Sequence, residues 1–147
     1  MNCWLLSGKC LKKQPLDYYG FVYKITVSNS KNIPEEIRGR IYIGKKAFNY
    51  RKKIKLSKKK RKQTGKRVAV TSVDSNWLNY FGSNKQLIDD VEKFGKKYFK
   101  REILHLCKNK SHLSYYEAKE QINHDVLSCN SYNGWIKITI FKNTFLK

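Results

Sequence analysis

Acidic residues are scarce in this chain: eleven Asp and Glu stand against thirty-two Lys and Arg in 147 residues, a formal net charge of +21. None occurs between Glu36 and Asp74. So large an excess of one sign points to a polyanionic partner, with nucleic acid first among the candidates. No run approaches the ~18 consecutive apolar residues of a membrane span, which excludes a transmembrane protein, and no membrane partner is expected. The N-terminal MNCWLLSGKCLKKQP carries a short apolar patch followed by Lys9, Lys12 and Lys13. A secretion signal has its charge before a longer apolar region, so a cytoplasmic, intracellular setting is expected. No pair of the four cysteines, Cys3, Cys10, Cys107 and Cys129, has C-x-x-C spacing. His105-x-Cys107 with His112 downstream falls short of a zinc pattern, so reduced thiols are expected, with Cys107 a buried strand residue. The chain shows no internal repeat, and its length is room for one domain and not two. Apolar residues make up 40% and aromatics 14%, enough for a core, which excludes global disorder.

The charge is concentrated. Thirteen Lys or Arg and no acid fall between Lys45 and Arg67. The stretch KKIKLSKKKRKQTGKR is poor in large apolar residues and reads as a solvated loop or arm, with Lys58, Lys59, Lys60, Arg61, Lys62, Lys66 and Arg67 as candidate DNA contacts. A charge run that only maintains solubility is the bland alternative. Around it lie patterned segments. Gly20 to Val27 (GFVYKITV) alternates Phe21, Tyr23, Ile25 and Val27 on one face and predicts a strand; Arg40 to Gly44 (RIYIG) predicts a second, joined to the first as an antiparallel hairpin with a long loop. Asn84 to Phe94 predicts a helix, capped by Ser83 or Asn84 and stopped by Gly95. Tyr98 to Cys107 predicts a third strand. A second helix is expected from Ser114 to Leu127 with Ala118, Ile122, Val126 and Leu127 facing inward, and Trp135 to Phe141 (WIKITIF) predicts a final strand. The order is an α/β (α+β) domain on a small, mainly antiparallel three-stranded sheet flanked by helices, with a possible extra C-terminal strand. Within this single domain (1–147), residues 1–15 read as an N-terminal extension, 19–133 as the core with a basic insertion at 45–76, and 134–147 as a C-terminal extension.

Two tyrosine-bearing strands precede the basic arm, Phe21-Val22-Tyr23 and Tyr42-Ile43-Gly44. This pair resembles the signature hairpin of the GIY-YIG nucleases: the second tripeptide matches as written, and the first has FVY in place of GIY. Downstream, FGKKYFKREIL resembles the segment entering the family's third strand, Glu117 falls where the family has its metal-binding glutamate, and Tyr132-Asn133 resembles the closing asparagine. The resemblance implies a standalone catalytic domain of the phage and homing-endonuclease kind, acting on double-stranded DNA with Mg²⁺ or Mn²⁺. The loop between Tyr23 and Tyr42 is longer than the family's. The family's catalytic arginine is matched nearest by Arg51, one residue early with Lys52 in the expected place; Arg61 and Arg67 are the alternatives. Arg51 is preferred because a planar guanidinium grips two phosphate oxygens.

The residue types make a physical case of their own. Hydrolysing a phosphodiester needs an activated water, stabilisation of charge on the phosphorus oxygens and help for the leaving oxygen. One carboxylate such as Glu117 suits Mg²⁺, which keeps several waters. Lys45 and Lys46 are candidate phosphate ligands, and beside Tyr42 they are expected to lower its pKa. The assignment is Tyr23 as general base or water-orienting group, Tyr42 as a second phosphate or water ligand, Arg51 on the phosphate, Glu117 on the metal and Asn133 fixing the geometry. Structural alternatives stand beside these. Ser114-x-x-Glu117 is also a capping box, both tyrosines can be core residues, and Asn133-Gly134 is also a turn. Glu120 competes with Glu117 as ligand, while His105 and His124 are weak candidates for a base. Trp77, Tyr80 and Phe81 beside the arm can stack on bases or pack under the loop. Cutting both strands with one site requires a homodimer or two binding events. The settings compatible with such an enzyme are homing, restriction, host-DNA degradation and repair, including a phage-encoded enzyme in its host's cytoplasm. The alternatives are a catalytically inactive nucleic-acid-binding protein on a degenerate fold of this kind, and a basic RNA-associated protein.

Overall fold

The computed structural model describes residues 2–147. Its elements, in chain order, are β1 (Trp4–Leu6), β2 (Lys9–Leu11), β3 (Gly20–Val27), β4 (Ile41–Ala47), β5 (Asn49–Lys55), α1 (Lys58–Thr64), β6 (Val68–Asp74), α2 (Lys85–Phe94), β7 (Phe99–Cys107), α3 (Lys110–Asn123) and α4 (Lys142–Phe145). The main sheet has five strands in the order β2-β1-β7-β3-β4. All neighbours are antiparallel except β1 and β7. The three strands expected from the sequence are therefore its inner and right-hand part. The two further strands come from residues read as an extension. Ser7 and Gly8 both adopt positive φ, 49° and 79°, the backbone of a two-residue hairpin turn. A Cys3–Cys10 disulfide ties this hairpin, which corrects the expectation of reduced thiols for these two. Cys107 is buried as expected, and burial pushes its thiol up to about 11.

β3 lies between two neighbours and buries both faces. Phe21, Tyr23, Ile25 and Val27 face a core built with Trp4, Phe48, Trp77, Leu87, Val91 and Phe99, beneath α2. Val22 faces a second cluster with Ile43, Cys107, Leu113 and Val126, beneath α3. Trp4 is fully buried, with its ring 5.0 Å from those of Phe21 and Tyr23, and its indole N–H donates to the Trp77 carbonyl at 2.7 Å. Trp4→Ala should therefore lower unfolding stability by about 3–5 kcal/mol in a denaturant titration. A residue in a dispensable extension would change it by no more than about 0.5 kcal/mol.

α2 matches its expected span: Asn84 Oδ1 accepts from the Leu87 N–H at 3.0 Å, and Gly95 caps the other end. α3 starts a turn earlier than expected, because Asn109 is its cap, accepting from the His112 N–H at 2.9 Å. Ser114 and Glu117 then lie in mid-helix, and the capping-box alternative for Glu117 falls. The shift also changes the buried face: Ala118 and Val126 are inside as expected, Gln121 joins them, and Ile122 and Leu127 are exposed. The expected C-terminal strand does not form, since no regular element covers 135–141 and only α4 follows. The free edge of β4 is already taken by residues 130–133: Ile41 bridges Ser131, and the Tyr132 N–H donates to the Ile41 carbonyl at 2.8 Å. The basic arm is also not a loop. β5 and β6 pair in register from Asn49↔Asp74 to Lys55↔Val68 as a two-stranded ribbon carrying α1 at its tip. No helix among the described residues is long and apolar enough to cross a membrane.

Candidate active site

The β3–β4 register sets Tyr23 opposite Gly44 and Ile25 opposite Tyr42. Both tyrosines emerge on the same face, with ring centroids 6.1 Å apart. Tyr80 closes on Tyr23 edge to face at 5.9 Å, and the Tyr42 hydroxyl lies 3.3 Å from that of Ser83. The missing side chain of Gly44 is what admits this cluster: a Cβ there would stand 2.5 Å from the Tyr23 hydroxyl and 3.1 Å from the Tyr42 ring. Tyr23 is 1% exposed. Burial first, then the phenols of Tyr80 and Tyr42, then the Glu117 carboxylate, hold its pKa well above the usual phenol range. Burial also raises Tyr42, opposed by the Ser83 hydrogen bond. The expectation that the neighbouring lysines would favour phenolate at Tyr42 is overturned, because burial outweighs every opposing effect there and neither lysine contributes to the shift. Lys45 turns to Glu117, and Lys46 lies over the Tyr80 ring at 4.1 Å, partly desolvated and with a lowered pKa.

Glu117 approaches from α3 on the other side of the edge strand. Its Oε2 is 2.9 Å from Lys45 Nζ, which also donates to the Ser114 hydroxyl at 3.1 Å. One turn on, Gln121 Nε2 donates to the Ile43 carbonyl at 3.1 Å. Asn133 takes both main-chain groups of the same residue: Oδ1 accepts from the Ile43 N–H at 3.0 Å, and Nδ2 donates to its carbonyl at 2.8 Å. An amide side chain thus substitutes for a neighbouring strand, satisfying an edge that would otherwise be open. The result is a cavity of about 400 Å³ lined by Tyr42, Ser83, Asn84, Glu117, Gln121 and Asn133 among others. Tyr23 is buried behind Tyr42 and Gly44. Glu117 is the one carboxylate in the lining, and among the described residues no group of three or more His, Cys, Asp or Glu can hold a metal. One carboxylate with hydroxyls and room for water fits a hard cation that keeps most of its hydration shell, and does not fit zinc.

A family model described as "Putative endonuclease segE, GIY-YIG domain" matches residues 4–138. The chain belongs to the GIY-YIG nuclease family. No curated protein and no solved structure matches it. The matched span begins in β1, so the N-terminal hairpin lies inside the GIY-YIG domain.

Not every expected residue of this GIY-YIG domain reaches the cavity. Tyr23, Tyr42, Lys45, Glu117 and Asn133 converge around the β4 edge. Arg51 lies on β5 in a separate cleft with Tyr18, Tyr19, Ser72 and Lys110. Trp77 is 2% exposed and packed against Phe21 and Phe48, so it is a core residue and not a DNA contact. Lys58, Lys59, Lys60, Arg61 and Lys62 are exposed on α1, followed by Lys66 and Arg67. Glu120 is engaged by His105 at 2.7 Å and His124 at 3.3 Å, which leaves Glu117 as the ligand candidate.

Sequence reasoning took Ser83 and Ser114 only as helix caps, and it missed Gln121 and Arg101. That arginine is 2% exposed and donates to the carbonyls of Leu78, Tyr80 and Asn2 at 2.8–3.0 Å, between the rings of Trp4 and Phe81. Burial lowers its pKa to about 10. It anchors the backbone that carries Tyr80 against Tyr23. The available signal was a charged residue at an inward position of the alternating FKREILHLC.

The raised phenols carry a pH consequence. The folded chain keeps Tyr23 protonated where the unfolded chain begins to release its proton, near pH ~10. Its contribution to stability is therefore intact below that pH and lost as pH rises above it. In an alkaline titration followed by phenolate absorbance, wild type should show fewer tyrosines titrating before unfolding than exposed phenols would give, because burial raises Tyr23, Tyr42 and Tyr132. Tyr23→Phe should unfold at a higher alkaline midpoint relative to its own neutral stability. An unchanged midpoint would show that Tyr23 ionises in the folded state.

Proposed function

We propose that this protein is a metal-dependent DNA endonuclease that hydrolyses phosphodiesters by water attack in the cavity at the β4 edge. The observation that carries the reading is the convergence of Tyr23 and Tyr42 from one face of the sheet and Glu117 from the helix on the other. Glu117 would hold Mg²⁺ or Mn²⁺, which when bound supplies charge neutralisation at the phosphate oxygens and a more acidic bound water. Lys45, the ion-pair partner of Glu117, would move from it to a phosphate oxygen as substrate enters, beside Lys85 in the cavity lining. Tyr42, protonated at neutral pH, would orient the attacking water through its hydroxyl, with Tyr23 and Ser83 fixing its ring and its hydrogen bond. Asn133 and Gln121 would hold the Ile43 backbone, and with it the relative placement of Tyr42 and Lys45. Arg51, placed on the ribbon, would serve DNA binding instead of the reacting phosphate.

The substrate fitting the charge is double-stranded DNA in the cytoplasm of the cell or of a phage host. Cutting both strands would take a homodimer or two successive encounters. The test is nicking of supercoiled plasmid with Mg²⁺ or Mn²⁺ and its loss in chelator. DNA binding without nicking under either ion would overturn the enzyme reading in favour of an inactive binding protein on the same fold.

A further inference from the structure

The ribbon formed by β5 and β6 is the largest feature that the cavity does not use. Each strand has seven residues, about 23 Å at the usual rise, and the two pair only with each other. The register sorts the side chains onto two faces. Tyr50, Lys52 and Ile54 lie opposite Val73, Thr71 and Ala69; Arg51, Lys53 and Lys55 lie opposite Ser72, Val70 and Val68. The first face is half covered along β6, while every residue of the second is exposed, Val70 at 58%. Val68 and Val70, exposed between the cations of β5, suit a partner that is both anionic and locally apolar.

We propose that the β5–β6 ribbon enters the major groove of duplex DNA with its Arg51–Lys53–Lys55 face toward the base edges, making it the sequence-reading element of the protein. The inference rests on the reading of DNA as substrate. The major groove of B-DNA, about 12 Å wide, admits a two-stranded ribbon, and the minor groove, about 6 Å wide, does not. Within it, a guanidinium such as that of Arg51 can contact guanine O6 and N7 together, Ser72 can contact either base type, and Val70 can cover a thymine methyl. Lys53 and Lys55 neutralise the groove's phosphate walls. The seven cations of Lys58–Lys62, Lys66 and Arg67 at the tip add contacts that carry no sequence information. Duplex RNA has a major groove too deep and narrow for side chains to read, so the same ribbon discriminates against it.

The test is binding by the full-length protein in chelator, so that no cutting occurs, measured by fluorescence anisotropy. The probes are a mixed-sequence duplex, the same duplex with a bulky 5-substituent on every cytosine, the unmodified duplex saturated with a minor-groove ligand, and the duplex RNA of the same sequence. Wild type should lose at least about tenfold in affinity on the blocked duplex and on RNA, and little with the minor groove filled. Arg51→Ser/Lys53→Ser/Lys55→Ser, all on exposed positions, should bind blocked and unblocked DNA alike, with a salt slope smaller by about 2, one for each lysine taken from a phosphate. Equal wild-type binding to blocked and unblocked duplexes, or loss on filling the minor groove, would overturn the proposal. So would an unchanged preference in the triple variant whose circular dichroism matches wild type. Because the readout is binding without metal, groove discrimination by a protein that never nicks plasmid would sink the enzyme reading alone.

Discussion

Glu117→Gln is expected to reduce plasmid nicking by about 10³-fold, equivalent to ~4 kcal/mol of transition-state stabilisation. The substitution keeps the shape of the side chain and its place beside Ser114 and removes only the charge. Two things follow from that single change. The cavity loses the one carboxylate in its lining, so Mn²⁺ binding measured by calorimetry should fall with activity. Lys45 also loses its counter-ion at 2.9 Å and remains as an unpaired cation beside the proposed metal position. The fold should be unaffected, because the side chains of Lys45 and Glu117 are 40% and 18% exposed, and ion pairs of that kind contribute about 0–1 kcal/mol. Glu120→Gln is the control: it alters a carboxylate one turn away that serves His105 and His124, and nicking should persist. Wild-type nicking by Glu117→Gln, or equal losses in both variants, would remove Glu117 from the proposed chemistry.

How much of this was legible in the residues depended on whether a feature was local. β3 was readable because a central strand has to alternate Phe21, Tyr23, Ile25 and Val27 into a core. α2 was readable because Asn84, its apolar stripe and Gly95 all lie within one segment. The start of α3 was misplaced because Asn109 and Ser114 are both acceptable caps, and the choice is made by Leu113 reaching the cluster under Val22 and Ile43. WIKITIF has the alternation of a strand, but alternation needs a free edge to pair with, and residues 130–133 already cover that of β4. In the arm, the lysines of β5 masked a period visible in Val68, Val70 and Ser72 of the facing strand. The tyrosines and Glu117 could be picked out by type and order. Their electrostatics could not, because Lys45 meets Ser114 across a separation of 69 residues and burial reverses the direction expected for Tyr42. Trp77 shows the same limit: an aromatic beside a basic run reads alike whether it is exposed for DNA or drawn under Phe48.

Gly44→Ala should be damaging both to the fold and to nicking, although the residue has no side chain to lose. Gly44 does not need a left-handed backbone, since it is absent from the positive-φ residues; it is required for space. The added methyl would meet the Tyr23 hydroxyl at 2.5 Å, its Cζ at 2.8 Å and the Tyr42 ring at 3.1 Å. Tyr23 has nowhere to retreat, being packed against Trp4, Phe21 and Tyr80. Tyr42 is the more movable partner, although its ring also lies close to Gly82, where an added Cβ would stand 3.0 Å from it. Overpacking of this kind costs about 1–3 kcal/mol of stability, and a displacement near 1 Å in the group proposed to orient the water should cost about 10²-fold in rate. A second substitution separates the two effects. Tyr23→Phe removes the atom in closest conflict, so Gly44→Ala/Tyr23→Phe should regain part of the stability lost by Gly44→Ala, a favourable coupling between neighbours in a double-mutant cycle. Nicking should stay low in the double variant, because the hydroxyl is gone and Tyr42 is still displaced. Recovery of activity together with stability would mean that the Tyr23 hydroxyl is only filling space; additive stability losses would mean that the two residues do not press on each other as the β3–β4 register places them.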